Sequence, residues 1–306
     1  MKIRTIAVLG AGAVGSYFLA GLTPGFGENL WVIAQGERRQ RLMQEGLTVN
    51  GSRLSLHVKQ PQEARNADLL IVAVKYGALQ ESLPAIQAVV GPRTVVLCPM
   101  NGVDSEEIIA GAIGREHVVD SVIKIASQRV GSSIVFPADK TPGLYFGEEN
   151  GAVTERVRAI ADALDGSGVR YHISEDIRHD IWFKFAMNIS KNLPQAFLGV
   201  GYGAYTHSSH VAFLSAALRR EVVQVAAAFG VDIHSEADPD LKADAVSPEA
   251  RFSTLQDLDA HRPTEIDMFS GAMIRMGRQL GIPTPCNEFV YHTIKALEEK
   301  NAGVIR

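Results

Sequence analysis

The chain has 306 residues, about twice the usual domain length, so two domains are expected. Thirty basic residues against 34 acidic ones leave a net charge of −4 with no dense cationic block, which argues against nucleic-acid or polybasic membrane binding. Two cysteines, Cys98 and Cys286, are too few for a disulfide framework or a thiolate metal site. With no signal-peptide h-region and no apolar run of about 18 residues, they predict a soluble, cytoplasmic protein.

The apolar segment Ile6-Ala7-Val8-Leu9 reads as a strand, and it runs into Gly10-Ala11-Gly12-Ala13-Val14-Gly15. A strand, a G-x-G-x-x-G turn and a helix in that order bind a dinucleotide pyrophosphate. The first glycine makes the turn, the second lets backbone approach phosphate, and the third lets the helix pack on the strand. Val14, Phe18, Leu19 and Leu22 then recur at helical spacing up to a predicted break at Pro24-Gly25. Leu30 to Ala34 reads as the second strand of the βαβ unit, with Gln35 at its carboxyl end. An acid there suits the ribose diol of NAD, and an arginine nearby suits the 2′-phosphate of NADP. Neutral Gln35 with Arg38 and Arg39 tilts the reading towards NADP, although the same arginines also suit a solvated helix start.

Residues 46 to 60 alternate around the hairpin signal Asn50-Gly51, which predicts an insertion at the sheet edge. Asp68 precedes Leu69 to Val74, a strand apolar at every position, as parallel sheets buried on both faces require. That strand ends at Lys75, and a similar one, Thr94 to Cys98, ends in Pro99-Met100-Asn101-Gly102. Ligands of open α/β sheets lie beyond the carboxyl ends of the strands, so Lys75 and Asn101 are candidates, each equally readable as an ordinary loop residue. Val118 to Phe146, with turns at Val130-Gly131-Ser132 and Thr141-Pro142-Gly143, is expected to extend the sheet antiparallel. A helix over 153–164 and a short strand over 169–173 follow. Beyond them the spacing predicts only helices, over 175–200, 210–229, 247–261, 263–280 and 286–300. The expected fold is α/β, with a Rossmann-like doubly wound sheet over 1–174 and an all-α domain over 175–306.

Within the helix over 175–200, Asn188 and Asn192 lie about 40° and 80° round from Lys184, one polar stripe on an otherwise apolar helix. A partly desolvated lysine can protonate a carbonyl oxygen, and asparagines suit hydroxyl and carboxylate groups. Lys191 returns close to the same face, and spacing does not choose between the two lysines. Pro263 at a first helical position makes Glu265 a first-turn acid favoured by the helix dipole, and a role in hydrogen-bonding a substrate hydroxyl is the alternative. Ile266, Phe269, Met273, Met276 and Leu280 form the expected buried stripe of that helix. His207 and His210 have no carboxylate cluster beside them, so no metal is expected.

Taken together, Gly10 to Gly15, Lys75, Asn101-Gly102, Trp182-x-Lys184-x-x-x-Asn188-x-x-x-Asn192 and Ser253-x-x-x-Asp257 to Thr264-Glu265-Ile266-Asp267 resemble the 2-dehydropantoate 2-reductase (ketopantoate reductase) family. The resemblance covers nearly the whole chain in the same order. It implies a Rossmann domain and a helical domain with the active site in the cleft between them, and reduction of 2-dehydropantoate to pantoate by NADPH on the route to pantothenate and coenzyme A. It also implies Lys184 as proton donor, Glu265 as active-site acid, and Asn101, Asn188, Asn192 and Ser253 as substrate contacts. Gly10, Ala11, Gly12, Ala13, Val14, Gly15, Gln35, Arg38, Lys75 and Asn101 fall at cofactor positions, with NADP expected and NAD not excluded. The expected partner is a small 2-oxo acid, and a homodimer is compatible with the family. Two alternatives stand beside this reading: a related 2-hydroxy-acid or opine-type dehydrogenase, and a dinucleotide-binding sensor without catalysis.

Overall fold

The computed structural model describes residues 1–130, 133–137, 141–233 and 246–306. The chain divides into two compact units, Met1–Asp180 and Ile181–Arg306.

The first unit is built on an apolar strand, β1 (Ile6–Leu9), whose residues alternate between two cores. Ile6 and Val8 face one cluster with Phe18, Leu19 and Leu22, while Ala7 and Leu9 face another with Ile86 and Ile109. β2 (Leu30–Ile33) and β6 (Leu69–Val72) flank β1, both parallel to it, and β5 (His57–Lys59) adds a parallel edge beyond β2. On the far side β7 (Val95–Leu97) pairs with β6, and β8 (Val118–Lys124) pairs with β7, both parallel. Because β1 lies between β2 and β6, successive crossovers leave it in opposite directions, and its carboxyl end is the topological switch point of the sheet. The helices of this half are α1 (Ala13–Phe26), α2 (Gly36–Glu45), α3 (Leu79–Val89), α4 (Ser105–Ile113) and α5 (Glu155–Leu164).

The α/β expectation, with a parallel-dominated sheet before a helical region, is what the structure has, and several local expectations differ. α1 runs through Pro24 to Phe26 instead of breaking there. The proline lies in the last turn, where little helix remains to be disturbed, and the Thr23 hydroxyl bonds the Leu19 carbonyl at 2.6 Å beside it. The Asn50-Gly51 hairpin forms, with both residues at positive φ (49° and 78°), and joins β3 (Leu47–Val49) to β4 (Ser52–Leu54). It belongs not to the main sheet edge but to a separate four-stranded sheet with β9 (Gln128–Val130) and β10 (Ser133–Val135). β8 is parallel, since the α4 crossover returns the chain in the direction of β7. Only β11 (Gly143–Gly147) runs antiparallel to β8, and β12 (Tyr171–Ile173) pairs parallel with it. The predicted turn at Gly131 and Ser132 lies outside the described residues.

The second unit is helical in its described residues. The division falls inside α6 (Ile177–Met187), which passes into a π-helical turn, Asn188–Asn192, and then α7 (Leu193–Leu198). After α8 (Ala204–His207) comes α9 (Ser209–Ala228), and the remainder is α10 (Ser253–Asp259), α11 (Ser270–Leu280) and α12 (Pro285–Asn301). Two expected helices are thus shorter than their patterns, with residues 247–252 and 263–269 outside them. Leu280, placed by pattern in a buried stripe, is exposed because α11 ends at once in left-handed Gly281.

Candidate active site residues

At the switch point each glycine of the turn meets a different constraint. Gly10 has φ +105°, and a Cβ there would strike the Ala73 carbonyl at the end of β6. A Cβ at Gly15 would strike the carbonyl of Gly10, which fixes how closely α1 lies on β1. Gly12, exposed and at the N-cap of α1, would meet nothing within 4 Å. Space at that glycine, the backbone N–H groups at Ala13 and Val14, and an absence of acids in the first turn of α1 together fit a pyrophosphate. Gln35 is the exposed N-cap of α2, and Arg38 lies exposed one turn on. Lys75, exposed, follows the strand whose Ala73 abuts Gly10, and half-buried Asn101 follows β7, so both stand at the carboxyl edge of the parallel strands. Asp68 is structural: its carboxylate accepts from the backbone N–H groups of Arg4 and Thr5 at 2.8 and 3.1 Å and ties β6 to the start of β1.

In the second unit, α6 is buried almost all round through Ile181, Trp182, Phe183, Phe185 and Ala186, and Lys184 is half-buried among them. Trp182 packs edge-on against Phe185 at 5.8 Å, and Phe185 lies 6.3 Å from Phe269, so the helix carrying the lysine is held by aromatic contacts. Asn188 and Asn192 open and close the π turn, and Asn192 Nδ2 donates to Asn188 Oδ1 at 3.4 Å. The Lys191 ammonium stands 5.0 Å from the centroid of the Tyr205 ring, a structural cation–π partner.

Ser253 is the exposed first residue of α10, and Gln195 of α7 holds the strand of chain leading to it. That glutamine is fully buried. Its Nε2 donates to the Ala250 carbonyl at 2.8 Å, and its Oε1 accepts from Phe252 N–H at 2.6 Å.

Glu265 is not a first-turn acid of a helix, since it lies in a bend five residues before α11. Its carbonyl accepts from Met268 and Phe269, making a tight turn, and its neighbours are tied to α12 on both sides. Thr264 donates from both N and Oγ1 to Glu298, at 2.6 and 2.7 Å. Asp267 accepts from Tyr291 and Lys295, at 2.8 and 2.7 Å. Burial pushes the Asp267 carboxyl up, but those two donors outweigh it and hold it below the ordinary range. His207 and His210 sit on different helices, α8 and α9.

Residues 6–151 match the family model described as ketopantoate reductase PanE/ApbA, and residues 176–298 match the model of its C-terminal part. The chain belongs to the ketopantoate reductase family. Among curated relatives, 2-dehydropantoate 2-reductase of Mesorhizobium japonicum is 28% identical, covering 95% of this chain and 97% of its own. A PanE/ApbA family ketopantoate reductase from Ralstonia eutropha superposes with TM-score 0.81 at 25% identity, covering 97% of this chain and 99% of that one. D-mandelate dehydrogenase, solved with NADH and anilino(oxo)acetate, superposes with TM-score 0.84 at 25% identity over the same shares. The chain is thus an oxidoreductase of the ketopantoate reductase family whose structural neighbours include both a ketopantoate reductase and a mandelate dehydrogenase. Gln195 and the Thr264 and Asp267 anchors have no sequence signal for their roles, because each works through partners 24 to 57 positions away.

Proposed function

We propose that the protein reduces 2-dehydropantoate to pantoate with NADPH, in pantothenate and coenzyme A biosynthesis. The observation that carries this reading is a half-buried lysine on an aromatic-packed helix, next to an asparagine pair, in a chain of this family. Residues 1–174 take the dinucleotide at Gly10 to Gly15, with Arg38 near the 2′-phosphate and Lys75 and Asn101 near the nicotinamide. Residues 175–306 take the 2-oxo acid through Asn188, Asn192 and Ser253. Bound NADPH supplies hydride to the C2 keto carbon. The Lys184 ammonium gives its proton to the keto oxygen, so that the hydroxyl forms as the lysine becomes neutral, and it recovers a proton from solvent. Glu265, held in its turn by the flanking anchors, accepts from a substrate hydroxyl. NADPH oxidation by the purified protein with ketopantoate tests the reading, and Lys184→Ala is expected to lower kcat by about 100-fold or more. Turnover of another branched 2-oxo acid, with none of ketopantoate, would remove the substrate and keep the reaction class.

A second reading, an NADH-dependent reductase of another 2-oxo acid, is favoured by the likeness to D-mandelate dehydrogenase solved with NADH. A panel of 2-oxo acids with both cofactors separates the two. Cofactor binding with no turnover across that panel would favour a sensor.

A further inference from the structure

Two groups interrupt the α ladder at the π turn: Pro194 has no N–H for the Ser190 carbonyl four residues back, and Tyr205 enters at the next position. In an α-helix the N–H of Gln195 would bond the carbonyl of Lys191 four residues back. Here the Tyr205 hydroxyl donates to that Lys191 carbonyl and is met by the backbone N–H of Gln195. A phenol thus occupies the place of a helical hydrogen bond, at the end of Asn188–Asn192. The ring is itself buried, packed 5.5 Å from Tyr202, and burial pushes its hydroxyl pKa up, so it stays a neutral donor. In an uninterrupted α-helix Asn192 would lie about 80° round from Lys184. One extra residue in the turn rotates the downstream chain back by about 100°, which returns Asn192 towards the Lys184 side.

We propose that Tyr205 is a positioning residue for the reductase reaction: its hydroxyl, wedged into the helix that Pro194 has opened, holds the π turn and so the placement of Asn192 towards the 2-oxo acid. The inference rests on the reading of Asn192 as a substrate contact. Lys184 precedes the turn in α6, so its proton transfer does not depend on the wedge. A contact made alike in ground and transition states changes KM and spares kcat.

The test is a cycle of Tyr205→Phe, Asn192→Ala and the double variant, assayed with the 2-oxo acid that the enzyme turns over best. Tyr205→Phe removes one oxygen and keeps the ring. The expected result is a rise of about tenfold in KM for the 2-oxo acid, with kcat and the KM for NADPH kept, and no further rise when it is added to Asn192→Ala. A fall in kcat at unchanged KM marks loss of folded enzyme only and overturns the inference, as does an additive effect in the double variant. If Asn192→Ala alone leaves KM unchanged, the substrate-contact reading fails, and the inference falls with it. Should Tyr205→Phe yield no folded protein, Tyr205→His is judged by the same split between KM and kcat.

Discussion

A guanidinium in place of the Lys184 ammonium would keep the positive charge and lose the transferable proton, since arginine stays ionised at any working pH. Lys184→Arg therefore separates attraction of an anionic substrate from acid catalysis. The expected outcome is 2-oxo-acid affinity within about threefold of wild type and kcat down by about 100-fold or more. A variant that keeps its kcat would remove Lys184 as the proton donor. At the other end of the reaction, Arg38 is exposed one turn into α2 and carries the NADP expectation with Gln35 beside it. Arg38→Ala is expected to cut the preference for NADPH over NADH by about tenfold, as loss of a charge-assisted hydrogen bond would. Titrations of both cofactors check it, and an unchanged ratio assigns the arginine to solvent.

The glycine turn makes the case at the level of an element, because its three glycines serve different masters. Gly15→Ala forces a methyl against the Gly10 carbonyl and should destabilise the first unit by about 1–3 kcal/mol, read from denaturant midpoints. Gly12→Ala meets open space at φ −78°, so its midpoint should hold to within about 1 kcal/mol while dinucleotide affinity falls. Equal loss of stability in both would deny Gly12 a ligand-facing role. The turn was legible in sequence because its glycine spacing is a local pattern, even though Gly10 is held to glycine by the distant Ala73 carbonyl. The helix over 175–200 was legible too, but not its π turn: Pro194 marks a break there, while the Tyr205 hydroxyl that bonds the Lys191 carbonyl comes from another helix. Glu265 shows the same limit from the other direction. Pro263 satisfied a local rule for a helix start, yet the chain there is held open by Glu298, Tyr291 and Lys295 of α12, contacts that outweigh propensity.

Across the whole molecule, periodicity decided the order of elements and the two-sided burial of the sheet, since every residue of β1 and β6 is apolar and buried. It could not assign partners, and so the direction of β8 and the separate four-stranded sheet came only with the structure. Nor did it mark the acid pair that should dominate the pH dependence of folding. Glu106 in α4 and Asp120 in β8 are both buried, and Arg115 pairs with Asp120 at 2.6 Å and reaches Glu149 at 3.6 Å. Burial first, and then the Asp120 charge, push the Glu106 carboxyl from its ordinary 4.5 up to about 8. Between those values the folded protein holds a proton on Glu106 that the unfolded chain has released, so raising the pH favours unfolding. The contribution to stability falls by about 1.4 kcal/mol per pH unit across that window and levels off above it. Glu106→Gln keeps the shape and cannot ionise, so its unfolding free energy should lack this slope and exceed that of wild type near pH 8. Urea unfolding of both proteins from pH 5 to 9 measures the difference, and parallel curves would place the proton elsewhere.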